Sequence, residues 1–448
     1  MEKSEAVIWK PSVERVKSSK MFNFLQLYSS KHGFQANWPQ MYRWSIERPD
    51  EFWSAVSDFT EVTWQKRGPE AMMTKSMLET TWFPGSQLNY SENLLSSIKF
   101  TTRPVLISYA EGTSKRTWTG QQLWNDVARL AHYFRSLDIA PGDRIAGVLI
   151  NGPEAVIAML AATAVGAIWS SCSPDFGVSG ILDRFTQIEP KILLMTKSYL
   201  YNGKRLDPIL GLESISKSLP SLIETIVVDH LGEDDRQDLH SNFMNLLQNQ
   251  NLEADKDGFF PLTFALREFG DPLFILYSSG TTGKPKSIVH SVGGTLLQHK
   301  KELALHSDLG EGDTLFYFTT CGWMMWNWMV SALSVGASLV TYDGAVGLED
   351  FDLLWRIVEA EKVSVFGTSP KFISACIKSG YRSKHDFHHL KSILSTGAPL
   401  PPESYHWIYD QIKSDLQVAS ISGGTDIISC FMLGNPLLEV FPGERSEE

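Results

Sequence analysis

The chain has 448 residues, 43% of them hydrophobic and 20% charged, with a formal net charge of −11. This is the composition of a folded globular protein too long for one ordinary core, so two or three subdomains are expected. The acidic balance argues against nonspecific nucleic-acid binding, and the four scattered cysteines (Cys172, Cys321, Cys376, Cys430) form no Cys-x-x-Cys or Cys/His cluster, which disfavours metal and disulfide frameworks and suits a reducing compartment.

The N-terminus, Met-Glu-Lys-Ser-Glu, does not read as a signal peptide, and the C-terminal Ser-Glu-Glu is not a peroxisomal address. The first hundred residues are rich in aromatics, with Trp38, Tyr42, Trp44, Phe52, Trp53, Trp82 and Phe83 set among charges. Disordered segments are poor in aromatics, so an ordered collar is expected. From Val105 the pattern changes. Thr119 and Gln122 form a capping box ahead of Leu123, Val127, Leu130, Phe134 and Leu137, the spacing of an amphipathic helix. Pro141-Gly142 turns the chain, Arg144 to Leu149 reads as a strand, and Pro153 stands where a helix would begin. The apolar run from Ala155 to Trp169 is shorter than the ~20 residues of a membrane span and reads as a buried helix. Residues 231–258 are polar and read as a surface helix or insertion.

After Asp271 a second run of alternating elements begins. Strands are expected at 272–277, 287–290, 315–318, 338–342, 364–367, 390–394 and 417–421. Helices are expected at 295–306, from about 326, and at 353–361, 371–378 and 402–413. Strand–helix alternation implies parallel sheets with helices on their faces. No internal repeat is legible.

The most specific motif is Tyr277 to Lys286, Y-S-S-G-T-T-G-K-P-K, held between two strands. Backbone N–H groups, hydroxyls and an ammonium in one loop suit a polyphosphate. It is not a P-loop: only two residues separate Gly280 from Gly283, and Pro285 follows Lys284 where Walker A requires Ser or Thr. Three further segments lie at expected strand ends, where open α/β sheets bind ligands. Cys321 to Trp328 reads either as packed aromatics or as the wall of an acyl pocket. Ser395 to Leu400 is a turn that could lie flat against a purine. Ser422 to Asp426 offers the Thr425 hydroxyl and, at Asp426, a hard oxygen suited to Mg²⁺.

Together, and in this order, these segments resemble the adenylate-forming superfamily, which includes acyl-CoA synthetases, luciferases and peptide-synthetase adenylation domains. Trp82 to Leu95 and Tyr42 to Trp53 resemble the N-terminal region of acetyl-CoA synthetase relatives. With Ser171 to Gly177, Gly280 to His290 and Cys321 to Trp326 added, the pattern resembles the acetoacetyl-CoA synthetase family over about residues 35 to 440. The resemblance implies an α/β fold: the large N-terminal domain of the adenylate-forming enzymes, with two βα-layered subdomains and parallel-rich sheets. The collar would occupy 1–100, the AMP-binding domain 101–440 and a polar tail 441–448.

The resemblance also implies a function: ATP-dependent ligation of acetoacetate to CoA through acetoacetyl-AMP, with Mg²⁺, in the cytosol and feeding lipid synthesis. No nucleic acid, membrane span or protein partner is expected. Ser278, Ser279, Gly280, Thr281, Thr282, Gly283 and Lys284 would hold the β/γ-phosphates. Gly397, Ala398 and Pro399, with Ser422, Gly423 and Gly424, would frame adenine. Thr425 would contact the α-phosphate, with Thr425 and Lys284 as the catalytic pair, and Asp426 would hold Mg²⁺ where Glu is more usual. Trp323, Met324, Trp326, Asn327 and Gly423 would form the acyl pocket, and Lys204 and Arg205 could meet CoA phosphates. Two departures concern the acyl wall. Gly423 stands where acetyl-specific relatives carry Trp, so refilling it with Trp should favour acetate. Asn327 stands where they carry His. Family members continue beyond this region with a ribose-binding Asp, a hinge and a mobile domain carrying a lysine. The expectation is therefore a form shortened at its C-terminal end, as alternative splicing would produce, with that mobile domain absent. The alternatives are a noncatalytic ATP- or acyl-binding isoform, another short-chain acyl-CoA synthetase and a peptide-synthetase adenylation domain.

Overall fold

A computed structural model describes residues 6–74, 76–232, 241–278, 283–347 and 351–443. Two seven-stranded sheets carry the fold. The first runs, in spatial order, Ser241–Asn242, Glu224–Val228, Ile192–Thr196, Arg144–Val148, Ile168–Cys172, Pro272–Ser278 and Lys286–Ser291. The second runs Gln417–Ser420, Ser392–Ser395, Val365–Thr368, Thr314–Tyr317, Ser338–Asp343, Leu106–Ala110 and Arg116–Trp118. Neighbours are parallel except at one edge of each sheet, where the last two strands form an antiparallel pair. The α/β expectation with parallel-rich sheets holds.

The expectation of no internal repeat does not. Both sheets have the same strand order, and a constant offset links Asp138 to Asp308, Gly142 to Gly312 and Gly166 to Gly336, all with left-handed backbone. Asp143 and Asp313 do the same work in each copy. Asp143 Oδ2 accepts from the Ala140 N–H at 2.9 Å, and Asp313 Oδ2 from that of Gly310 at 3.0 Å. Their carbonyls accept from Ile168 at 2.7 Å and Ser338 at 2.9 Å, which starts the second strand of each unit. The repeat escapes the sequence because it lies in turn geometry and strand order, with few identical residues.

Local signals explain many elements. Thr119 and Gln122 make the reciprocal capping box, and helix Gly120–Ser136 buries Leu123, Val127, Leu130 and Phe134. The apolar run after Pro153 proves to be two elements: helix Pro153–Ala164, buried along its whole length, then strand Ile168–Cys172. A helix apolar on every side belongs in a core. In the polar stretch, helix Phe243–Gln248 buries Phe243 and Leu247, and residues 233–240 lie outside the described residues. The helix after the phosphate motif starts earlier than expected, at Val292, because Ser291 caps it, and it continues beyond Lys301 as a π-helical turn, Glu302–His306.

The collar is ordered, with helices Lys20–His32, Trp38–Glu47 and Pro49–Phe59. Phe24, Met41 and Trp44 share one core cluster with helix Pro153–Ala164 and with Trp326 and Trp328. Near the other end of the described chain, Val440 pairs with Trp9: its N–H donates to the Trp9 carbonyl at 2.9 Å.

Candidate active site

In the second sheet, the chain leaving Thr314–Tyr317 moves to one side and the chain leaving Val365–Thr368 to the other. Such a reversal opens a crevice at the carboxyl ends of the strands. A cleft of about 320 Å³ opens there. Four segments line it: Trp323 to Met325 at the start of helix Met324–Val330, the turn Thr396 to Pro399 after strand Ser392–Ser395, Ser420 to Thr425 after strand Gln417–Ser420, and Ser429 and Cys430.

The last two segments form a hairpin, Ser422–Gly424 against Ser429–Met432, with an irregular register at Ser422/Gly423. Its turn ends at Ile428, a β-branched residue at φ +49°, strained backbone that neighbours must hold. Burial keeps the His299 imidazole below its ordinary pKa, so its neutral ring donates from Nε2 to the Ile428 carbonyl at 2.6 Å. Glu302, at the start of the π-helical turn, is fully buried. Its Oε1 accepts from Ser429 Oγ, from the Cys430 N–H at 3.2 Å and from Gln298 Nε2 at 2.8 Å. Its Oε2 accepts from Trp328 Nε1 at 2.8 Å. The carboxylate thus ties the far strand of the hairpin to the helix behind it. His290 is also buried against this turn, with Thr425 and Asp426 beside it, and burial pushes its pKa down to about 4.

Of the residues singled out in the sequence, Trp323, Met324, Gly397, Ala398, Pro399, Ser422, Gly423, Gly424 and Thr425 converge on this cleft. Asp426 is exposed on the hairpin turn immediately after them. Among the described residues no group of three or more His, Cys, Asp or Glu could hold a metal ion. A single carboxylate still suits Mg²⁺, which is usually bound by one or two carboxylates together with substrate phosphates.

Trp326 and Asn327 do not line the cleft. Trp326 is fully buried, with its indole N–H donated to Asn151 Oδ1 at 3.1 Å, so it is a core residue and no wall of the pocket. Ser278 ends its strand paired with Lys286. Ser279, Gly280, Thr281 and Thr282 lie outside the described residues. Gly283 and Lys284 are exposed, and Lys284 Nζ stands 3.9 Å from Asp183 Oδ1 on a neighbouring helix, so Lys284 is not part of the cleft lining. Lys204 and Arg205 are exposed on a short hairpin, where Arg205 pairs with Asp207 at 2.7 Å.

Gly423 corrects an expectation. A Cβ there would come within 2.1 Å of the Ser429 carbonyl oxygen and 2.6 Å of Cys430 Cα. The missing side chain lets the two hairpin strands approach. An indole at this position would collide with backbone instead of filling the cleft. Met325, Thr396, Ser420, Ile421, Ser429 and Cys430 also line the cleft and were not named individually from the sequence. Met325 and Thr396 lie inside quoted motifs and Ser420 and Ile421 adjoin one, whereas Ser429 and Cys430 arrive only through hairpin pairing.

A model of the family described as AMP-binding enzyme matches residues 98–443, and one described as acetyl-coenzyme A synthetase N-terminus matches residues 38–94. The chain is 43% identical to the acetoacetyl-coenzyme A synthetase of Rhizobium meliloti (strain 1021), over 98% of this chain and 67% of that protein. It is 36% identical to a malonamoyl-CoA synthetase of Penicillium aethiopicum, over 98% of this chain and 64% of that protein. The solved structure of the acetoacetyl-CoA synthetase from Streptomyces lividans matches at a TM-score of 0.92 and 38% identity, over 98% of this chain and 68% of that one. The chain belongs to the AMP-binding enzyme family, among the acetoacetyl-CoA synthetases. The AMP-binding match covers both sheets and every residue that lines the cleft. The chain spans about two thirds of the length of the curated relatives it matches.

Proposed function

We propose that this chain carries the adenylate-forming site of an acetoacetate–CoA ligase. The supporting observation is the convergence of Trp323, the Gly397–Pro399 turn and the Ser422–Thr425 segment on one cleft at the reversal point of the second sheet. In this reading the carboxylate of acetoacetate attacks the α-phosphorus of ATP, pyrophosphate leaves, and the CoA thiol then displaces AMP to form the thioester. No protein nucleophile is needed. The protein's task is to position the reactants and stabilise charge on the transferring group.

Gly397 to Pro399 and Ser422 to Gly424 would frame adenine, and the Thr425 hydroxyl would donate to the α-phosphate. The Ser278 to Lys284 segment would take the β/γ-phosphates. Trp323, Met324 and Gly423 would surround the acyl group, and Lys204 and Arg205 would face CoA phosphates. Asp426 would hold Mg²⁺, which supplies charge neutralisation on the phosphates when bound. The relatives named for acetoacetyl-CoA and malonamoyl-CoA share one chemical feature, an acyl group with a carbonyl on carbon 3. A cytosolic setting belongs to the same reading and is supported by four free, buried cysteines. Among the described residues no helix is long and apolar enough to cross a membrane.

The test is ATP–pyrophosphate exchange driven by added carboxylic acids. Exchange that depends on acetoacetate and exceeds that with acetate is the expected result. No exchange with any short acid, from a protein that remains folded, would overturn the reading.

A further inference from the structure

His299 and Glu302 lie three residues apart, near the end of helix Val292–Lys301 and at the start of the π-helical turn that follows it, and both are fully buried. Inserted π turns are rare and recur at functional sites. The two side chains span the same gap. Glu302 joins Trp328, in helix Met324–Val330, to Ser429 and Cys430 in the hairpin. His299 joins Ser331, which follows directly on that helix, to Ile428 in the hairpin turn. Its Nδ1 lies 2.7 Å from Ser331 Oγ and its Nε2 2.6 Å from the Ile428 carbonyl. The helix starts at the Trp323–Met325 wall of the cleft, and the hairpin supplies Thr425, Ser429 and Cys430 to the opposite lining. Two buried side chains thus set the spacing between two walls of one cleft.

Hydrogen-bond chemistry fixes His299 in one form. A carbonyl only accepts, so the Nε2 proton goes to Ile428 and the neutral ring presents Nδ1 as an acceptor. Ser331 Oγ then donates to Nδ1 and accepts from the Tyr90 hydroxyl at 2.6 Å. The Asn327 carbonyl, 2.9 Å from Ser331 Oγ, would take that proton only if both ring nitrogens of His299 were protonated. Tyr90, Ser331, His299 and Ile428 are all buried, so the chain of three bonds is closed to water. It ends on the residue with left-handed backbone, whose N–H donates to the Thr425 carbonyl at 3.2 Å. A β-branched residue keeps that conformation only where its surroundings hold it.

Building on the acyl-ligase reading above, we infer that His299 is a positioning residue for adenylate formation. Through Ser331 and Ile428 it holds the Trp323 wall, where the acid would lie, in line with the Thr425 turn, where the α-phosphate would lie. In that step a carboxylate oxygen bonds to the α-phosphorus as the bond to pyrophosphate breaks. A misplacement of about 1 Å between such reactants can cost about a hundred-fold in rate. Each substrate still meets its own wall when the two walls shift, so the loss falls on kcat and spares KM.

The experiment measures ATP–pyrophosphate exchange by the full chain, with saturation curves for ATP and for acetoacetate. It compares the wild type with His299→Leu, His299→Gln and Ser331→Ala, at a temperature where circular dichroism shows each to be folded. His299→Leu should lower kcat by about ten-fold or more with each KM within about three-fold of the wild type. His299→Gln, whose amide both donates and accepts, should recover most of that loss. Ser331→Ala keeps the Nε2 bond and should lower kcat by about three-fold. A histidine with a structural role alone would lower the melting temperature and leave kcat per folded molecule unchanged. Wild-type kcat in His299→Leu overturns the inference and leaves the adenylate reading intact, as does a loss carried by KM. Where His299→Leu does not fold, wild-type kcat in Ser331→Ala has the same meaning. A folded wild type that exchanges with no short acid overturns both.

Discussion

The two sheets share strand order, turn geometry and paired aspartates, yet only the second opens its crevice to the cleft described above. In the first sheet the constant offset places Pro153 where the second has Trp323, and Glu154 where it has Met324. The strand that corresponds to Ser392–Ser395 is Glu224–Val228, followed by Asp229 and His230. These residues fill the space. Glu154 accepts from Arg116 at 2.6 and 3.3 Å, His230 Nδ1 stands 3.4 Å from Glu154 Oε2, and His230 Nε2 lies 3.2 Å from Thr196 Oγ1. Burial alone would raise the Glu154 pKa, but the hydrogen bond and charge of His230 and the charge of Arg116 hold it far below the carboxylate range. The backbone therefore supplies a crevice twice, and side chains decide its fate: an ion-paired plug in one copy, and glycines, small residues and one Trp in the other.

The largest expected effect comes from giving the first sheet the residue of the second. Glu154→Met leaves the buried His230 ring without its partner and the half-buried Arg116 guanidinium without its counter-charge. Breaking such a buried pair costs about 3–5 kcal/mol, which urea denaturation would measure. An unchanged midpoint would mean that the plug does not hold the first crevice closed.

Acid should then separate the two copies. Burial keeps His290, packed beside the Thr425 turn, near a pKa of about 4 when folded, against about 6.5 when unfolded. Between these values the unfolded chain binds the extra proton. Stability is therefore level above pH ~6.5 and falls as the pH drops towards 4, by an amount on the order of 2–3 kcal/mol. The Glu154 carboxyl, lowered by its partners, contributes stability that is lost only below the ordinary carboxylate pKa. Melting His290→Gln across this range should flatten the limb above pH 4 and spare the one below it. If both limbs are unchanged, the acid response does not arise at the hairpin.

Gly423→Ala should destabilise by about 2 kcal/mol, because a methyl group meets backbone that cannot swing aside. Acetoacetate-dependent exchange should fall with it, and Gly423→Trp should gain no preference for acetate. An acetate-selective Gly423→Trp enzyme would restore the simpler view of this glycine as empty volume. The smallest effect expected is that of Glu302→Gln. The amide loses at least one of the acceptor contacts to Ser429, Cys430, Gln298 or Trp328 and should cost about 1 kcal/mol. A larger proportional loss of exchange than of stability would mark Glu302 as a positioning residue for the Thr425 turn.

Much of this was legible in the chain because local rules carry it. The capping box at Thr119, the alternating βα pattern and the position of the glycine-hydroxyl motif after a strand all follow from neighbours a few residues apart. The Ser395–Leu400 and Ser422–Asp426 segments could be placed at strand ends, and nine of the residues singled out there and near Trp323 do line the cleft. A boundary slipped where a cap intervened, as at Ser291. Trp326 was misplaced because helical periodicity shows which residues share a face without showing which face meets solvent.

The sequence by itself determined the α/β class, the order of the binding segments and the chemistry they offer, since hydrophobic period, turn residues and hydroxyl-glycine composition are properties of short stretches. Only the tertiary structure decided that the fold is built twice, that one crevice is closed by Glu154 and His230, and that Gly423 lets two strands approach. Each of these depends on groups far apart in the chain meeting at van der Waals or hydrogen-bond distance, and at that range a single methyl group or an unmatched N–H decides the outcome.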